Sequence, residues 1–471
     1  MIRRSPKIAT ALAALLLTGA VSGCLVGPTY RRPTVATFPA FKEADGWTPA
    51  HPSDAADRKD WWTVFGDATL DDLERRVDVS NQTLAAAEAA YRQAHALVAE
   101  NRAALFPTIA LDGSATAGKS VGVSGAHTTY QPNIGGTWAP DIWGAVRRGM
   151  ENARASAQSS AALVVNARLS VQTALAVDYI QLRQFDEEKR LLDATAVAYA
   201  RTLSITENKY TAGVAARGDV LAAQSQLQAA RANVLDIDQQ RARTEHAIAI
   251  LAGEAPAALT LPPAPWNLQL PDIPATVPST LIERRPDIAA AERLADAANA
   301  QIGVQTAAYF PNLTLSGQGG FAAGQLGPLF NASNSFWSVG ALAAETVFDA
   351  GARQARVAGA RAAYDQAVAN YRQTVLTALG QVEDNLAAQR VLAAEQVLRR
   401  QAADAADAGE VVARNEYAAG TVDYTTVVVA EANALADRNA ELAIEALRLT
   451  TAVSLIEALG GGWSTAGLAR S

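Results

Sequence analysis

The chemistry this sequence offers is sparse. Cys24 is the only cysteine in 471 residues, so no intramolecular disulfide and no cysteine-based metal site can form. Its thiol follows Val21-Ser22-Gly23, behind a basic stretch (Arg3, Arg4, Lys7) and an apolar run from Ile8 to Ala20. That basic-then-apolar leader reads as a targeting segment, its 13 apolar residues too few to span a bilayer comfortably. His51, His95, His127 and His246 are scattered, so no metal site is expected. Met1 and Met150 are the only methionines, which excludes a methionine-rich copper track. Arg284-Arg285-Pro286-Asp287 invites a phosphate or catalytic reading. A helix start is the better one, with Asp287 against the positive end of the macrodipole. No Ser/His/Asp set, phosphate loop or metal-ligand spacing occurs, so neither enzyme activity nor a cofactor is expected.

The elements around these residues come in two copies. Leu105-Phe106-Pro107-Thr108-Ile109-Ala110-Leu111 returns as Tyr309-Phe310-Pro311-Asn312-Leu313-Thr314-Leu315. Asn208-Lys209-Tyr210-Thr211-Ala212-Gly213 returns as Asn415-Glu416-Tyr417-Ala418-Ala419-Gly420. A spacing near 200 is too long for a solenoid unit and means that a whole half is duplicated.

In the first copy, Asp67 to Phe106 lacks Gly and Pro and is helical, with a break expected near Asp78-Val79-Ser80-Asn81. After Pro107 the pattern becomes alternating. Ile109, Leu111, Gly113, Ala115 and Ala117 share one parity; Asp112, Ser114 and Thr116 share the other. Tyr130, Ile134, Gly136 and Trp138 likewise oppose Gln131, Asn133 and Thr137. Period two with one apolar face predicts strands, either of a soluble sheet or of a membrane barrel. Met150 to Ala212 is again free of Gly and Pro. As one helix it would be about 95 Å long, which suits a coiled coil or the wall of a helical assembly. Gly213 ends it, and Asp219 to Ala252 runs back.

The second copy repeats this order: helix 287–310, alternation 313–321 and 336–348, long helix 361–419, tip at Gly420, helix 422–459. Gly380 and Gly409 are expected to interrupt its long helix. The organisation is therefore a signal peptide (1–23), an N-terminal strap (24–66) and a first repeat (67–252). A connector (253–278) carrying seven prolines, a second repeat (279–460) and a tail (461–471) follow. The first repeat has strands about 107–143 and a helix pair 146–252; the second has strands about 311–349 and a pair 353–459. Lys119–Thr129 and Ala323–Asn334 are expected to be extracellular loops.

Net charge is −7 with no basic block, which argues against a nucleic-acid partner. Four strands cannot close a transmembrane barrel, and an open edge is not tolerated in lipid. Strands that cross a membrane must therefore be pooled between chains. Three chains supply twelve, and the helix pairs supply the staves of a second, helical barrel.

Several motifs carry a family resemblance. Val21-Ser22-Gly23-Cys24 resembles the lipobox of a bacterial lipoprotein, and Leu25 after the cysteine then implies the outer membrane. Gly23-Cys24-Leu25-Val26-Gly27-Pro28-Thr29-Tyr30-Arg31-Arg32-Pro33 resembles the mature start of TolC-like outer-membrane efflux lipoproteins of the NodT-type branch. Glu283-Arg284-Arg285-Pro286-Asp287-Ile288, Ala307-Ala308-Tyr309-Phe310-Pro311, Trp61-Trp62 and Phe348-Asp349-Ala350-Gly351-Ala352-Arg353 fit the same family. The resemblance implies a mainly α, internally duplicated fold. It implies a homotrimeric twelve-stranded barrel in outer-membrane lipid, continued by a long periplasmic α-helical barrel. It also implies a periplasmic adaptor and an inner-membrane pump of the resistance-nodulation-division (RND) class as partners.

By the same resemblance, Cys24 carries N-palmitoyl and S-diacylglycerol groups. The adaptor docks at the helix tips, on Gly213, Val214, Ala215, Gly420, Thr421 and Val422. Relatives carry a Leu-Asp-Ala-Gln run near the constriction, where this chain has Val428-Val429-Ala430-Glu431. The family aspartate is missing, so Asp219, Asp423 and Glu431 are the aperture candidates, each also readable as an ordinary solvated residue. Two other readings stay open: a lipid-anchored periplasmic coiled-coil scaffold, and the duct of a type I secretion system.

Overall fold

A computed structural model describes residues 25–35, 40–43, 60–119, 126–271 and 285–461. The signal peptide, Cys24, positions 120–125 of the Lys119–Thr129 loop, and Glu283 and Arg284 of the Glu283–Ile288 motif lie outside these residues. The helices are α1 (Ala68–Ser80), α2 (Gln82–Ala103), α3 (Ala145–Thr211), α4 (Arg217–Leu251), α5 (Pro286–Ala307), α6 (Ala352–Ala419) and α7 (Tyr424–Ala458). The strands are β1 (Thr108–Gly118), β2 (His127–Trp138), β3 (Asn312–Phe321) and β4 (Ser335–Ala344).

The helical repeat is exact in length where it matters. Adding 207 to the bounds of α4 gives those of α7, and both helices have 35 residues. The same offset carries the start of α3 to the start of α6, helices of 67 and 68 residues. The expected break between α1 and α2 occurs at Asn81, whose side chain accepts the Leu84 N–H at 2.9 Å and donates to the Leu251 carbonyl at 2.8 Å.

Three expectations are corrected. Helix α6 begins at Ala352 rather than Arg361, because Asp349 caps it through the Arg353 N–H at 3.1 Å. It also runs unbroken through Gly380 and Gly409, where an added side chain would meet nothing within 4 Å. Strand β4 ends at Ala344, short of the alternation that continues to Phe348.

The chain forms two compact units. The first comprises residues 1–34, 90–161 and 290–372. Its four strands form one antiparallel sheet in the order β1-β2-β3-β4. The residues after Leu25 are pinned to its helices. Val26 donates to Trp143 O at 3.3 Å, and Arg148 donates to Val26 O at 3.0 Å and to Gly27 O at 3.2 Å. Gly27 has φ +95°, and a Cβ there would lie 2.4 Å from Gly303 Cα. Two glycines therefore allow the strap to lie directly on α5. Below the strands Trp143 stacks on Phe310 at 4.7 Å and donates to Pro311 O at 2.8 Å.

The second unit comprises residues 35–89, 162–289 and 373–471. Trp61, Trp62 and Phe65 sit at its centre with Leu70, Leu175, Tyr179, Ile248 and Val453. Beside them a buried ion network ties α3, α4 and the connector together. Asp186 accepts from Arg183 at 2.7 Å, from Arg241 at 2.6 Å and from the Ala264 N–H at 3.2 Å.

Candidate functional site

In the first unit the strand register sorts the side chains by face. Leu111 stands opposite Ile134, Ile134 opposite Gly319, and Gly319 opposite Trp337. Ile109, Leu315 and Val339 fall on the same side. The other side carries Asp112 opposite Asn133, Ser114 opposite Gln131, and Gln318 opposite Ser338. Phe336 and Leu342 are the exceptions, large apolar residues on the polar side. The apolar side is uncovered within one chain: Leu111 is 83% exposed, Trp337 78% and Val339 76%. Burying a side chain of that size is worth about 1.5–3 kcal/mol, so this face requires an apolar neighbour. Strands β1 and β4 are the sheet edges and leave their outer backbone groups for another strand.

In the second unit both helix pairs end in the same turn. Gly213 (φ +78°) and Gly420 (φ +80°) adopt the left-handed conformation that glycine tolerates best. The Val214 N–H bonds to Lys209 O at 2.9 Å, and the Thr421 N–H bonds to Glu416 O at 3.0 Å. These are the closing bonds of a glycine-capped helix C-terminus. Gly213, Val214, Gly420 and Thr421 are exposed, while Ala215 and Val422 are half-buried.

The three acidic candidates have different surroundings. Asp219 is half-exposed and accepts the Ala216 N–H at 3.2 Å, supporting the start of α4. Asp423 is exposed at the N-cap position of α7, and its side chain makes no cap hydrogen bond. Glu431 is buried. It accepts from the Thr202 hydroxyl at 3.2 Å and lies 3.5 Å from Arg414. Arg414 also pairs with Glu410, and Arg438 bonds Glu410 at 2.9 Å and Asp407 at 2.7 Å. Burial raises the Glu431 pKa, and Arg414 and the Thr202 bond oppose that rise.

Glu431 belongs to a seam between the two helix pairs that sequence reasoning missed. Tyr417 Oη lies 3.1 Å from Thr206 Oγ1. Lys209 donates to Tyr417 O, and its ammonium sits 3.8 Å from the centre of the Tyr417 ring. Tyr424 donates to Gln226 at 3.0 Å. The one sequence signal was the duplicated Asn-x-Tyr-x-Ala-Gly run, which placed Tyr417 beside its tip without saying what it touches.

The sequence pattern of the family described as "outer membrane efflux protein" matches residues 75–254 and 277–461. The chain is 28% identical over 455 residues to the probable efflux pump outer membrane protein TtgC of Pseudomonas putida, covering 94% of this chain and 93% of that one. It is 30% identical to the pyoverdine export outer membrane protein OpmQ of Pseudomonas aeruginosa, covering 89% and 91%. The solved outer-membrane channel OprN superposes with TM-score 0.86 at 31% identity, covering 93% of this chain and all of that one. The open-state MtrE channel of Neisseria gonorrhoeae, at 24% identity and TM-score 0.84, shares the fold. The mainly α, duplicated fold with four strands is thus that of one protomer of the trimeric TolC-like channels. An uncovered apolar sheet face, two open strand edges and a match along most of its length lead to one conclusion: the chain belongs to the outer membrane efflux protein family and is an efflux channel of the outer membrane.

Proposed function

We propose that three copies of this chain form the exit duct of a tripartite efflux pump of the RND class, passing small molecules outward without transforming them. The observation that carries this is the four-stranded sheet with one exposed apolar face and two unpaired edges. Lipid satisfies the face, and strands of two further copies satisfy the edges. The duct needs no cofactor and no catalytic group; energy comes from the inner-membrane pump. The efflux names of the relatives support a pump over a type I secretion system. A scaffold without a pore has no use for the strands.

Cys24 is proposed to carry the diacylglycerol and palmitoyl groups. The exposed turns at Gly213–Ala215 and Gly420–Val422 are proposed as the docking points for the periplasmic adaptor. Asp423, exposed, and Asp219, half-exposed and bonded only at the start of α4, are the acids proposed to face an aperture; Glu431 is held inside the seam. Reconstitution in planar bilayers is the direct test. The purified full chain should give discrete channel openings, and their absence would sink the duct. Labelling with radioactive palmitate should be lost in Cys24→Ser. Val214→Arg and Thr421→Arg should weaken adaptor capture while leaving conductance unchanged.

A further inference from the structure

The loop that joins β3 to β4 has a hydrogen-bonded framework of its own. The Tyr130 N–H bonds Ala323 O at 2.9 Å and the Ala323 N–H bonds Tyr130 O at 3.1 Å, which carries the β2–β3 pairing two residues past Phe321. The Ala322 N–H bonds Asn334 O at 2.8 Å, and the Asn334 side-chain amide donates to Pro328 O at 2.7 Å. The Asn331 N–H bonds the same Pro328 carbonyl at 3.0 Å. Two large apolar side chains stay outside this framework: Leu326 is 63% exposed and Phe330 70%. From Phe310 to Ala344 the sequence holds no Asp, Glu, Lys or Arg, whereas the first hairpin carries Asp112 and Lys119.

One contact shows which side of the sheet this loop favours. The Phe330 ring meets the Phe321 ring edge-on, with centroids 5.4 Å apart and planes at 71°. Phe321 stands opposite Ser335, two places beyond the Gly319–Trp337 pair, so it shares the apolar side with Leu111, Ile134 and Trp337. The loop therefore turns back onto the apolar side. Ala323 ties it to β2, inside the sheet and away from the β4 edge that a neighbouring strand would take. Height follows from β2, where Tyr130 and Trp138 lie on the apolar side eight positions apart. That separation is about 27 Å of strand, or about 20 Å of height at a tilt near 40°. With Trp138 at the inner interface, where tryptophan settles, the level of Tyr130 and Ala323 still lies inside an apolar band about 25 Å tall.

We propose that the β3–β4 loop is a lipid anchor: Phe330, braced by Phe321, inserts among the acyl chains of the outward-facing leaflet and fixes the height at which the sheet sits. The inference rests on the duct proposed above, which puts this loop on the outer side of the membrane. A loop without charges enters hydrocarbon without stripping water from an ion. Its framework also holds the ring in place before lipid arrives, so insertion orders little further.

Spin labels on the full chain, in liposomes of phosphatidylethanolamine and phosphatidylglycerol, test the anchor. Cys24 is the only native cysteine, and the unsubstituted protein gives the background. Oxygen partitions into hydrocarbon, whereas a nickel chelate stays in water. A label at Phe330→Cys should respond to oxygen severalfold more than to nickel, as should one at Leu111→Cys on the apolar face. Ser114→Cys on the polar face should show the reverse. Adding Phe321→Ala should raise nickel access at position 330 severalfold. A label at 330 that prefers nickel, while Leu111→Cys still prefers oxygen, would overturn the anchor and leave the duct standing. Spin–spin broadening between copies at 330, the mark of loops that meet over the mouth, would also overturn it. Nickel preference at Leu111→Cys as well would remove the duct reading with it.

Discussion

The Tyr417 hydroxyl lies 3.1 Å from that of Thr206, whereas Tyr210, at the same place in the first copy, is largely exposed. Equal residues at equal positions thus have unequal energies. Tyr417→Phe should cost about 1 kcal/mol through the lost hydrogen bond. Tyr417→Ala should cost about 3–5 kcal/mol, because the packed ring under Lys209 goes too. Tyr210→Phe should change the stability of a single chain by less than about 0.5 kcal/mol. Thermal unfolding of the detergent-solubilised protein measures all three, and a large effect at Tyr210 on an unassembled chain would contradict the assignment.

The two faces of the sheet should respond differently to charge. Leu111→Arg puts a cation on the apolar face, where it should cost about 2–4 kcal/mol if the residue sits near mid-membrane. Ser114→Arg, on the opposite face, should assemble normally and alter ion selectivity. The yield of assembled protein in outer membranes reads the first, and reversal potentials in a salt gradient read the second. Equal damage from both would mean that the faces are misassigned.

Asp186 holds two arginines whose side chains are 4% and 12% exposed. Asp186→Ala leaves both without their shared carboxylate. Breaking a buried pair in this way costs about 3–5 kcal/mol. The connector should also loosen, because Ala264 loses its acceptor and Arg241 and Arg183 also bond Leu261 O and Pro262 O. Limited proteolysis should cut the segment after Leu259 sooner in the variant.

Much of this fold was legible because its physics is periodic. Alternation at Ile109, Leu111 and Ile134 gave the strands and their faces, and the Gly- and Pro-free stretches gave the long helices. The start of α6 was not legible. The expected start at Arg361 lies well inside a helix already nucleated by Asp349, whose side chain accepts the Arg353 N–H. The surroundings of Glu431 were equally hidden. Arg414 is seventeen positions away on an antiparallel helix and Thr202 is in the other copy, so only the packed seam brings the three together.

Glu74 is fully buried, and neither carboxylate oxygen has a hydrogen-bond partner. Burial first, then Asp78 and Asp71, push its pKa from 4.5 up to about 9. The folded state therefore holds this proton more tightly than the unfolded one. The stabilisation is complete below about pH 4.5 and is lost as pH rises toward 9. Between pH 5 and 9 the wild type should lose on the order of 5 kcal/mol from this group. Glu74→Gln, which cannot ionise, should flatten the profile of melting temperature against pH. An unchanged slope would show that the residue titrates normally.

The matched 35-residue lengths of α4 and α7 have an evolutionary corollary. At 1.5 Å per residue, removing one helical turn from a single pair makes a step of about 5.4 Å in an otherwise level rim. A rim with alternating high and low ends cannot present one flat surface to whatever meets it. Length is thus a heritable trait of the two halves together. Insertions and deletions in one helix pair should survive only when the other has changed by the same number of turns.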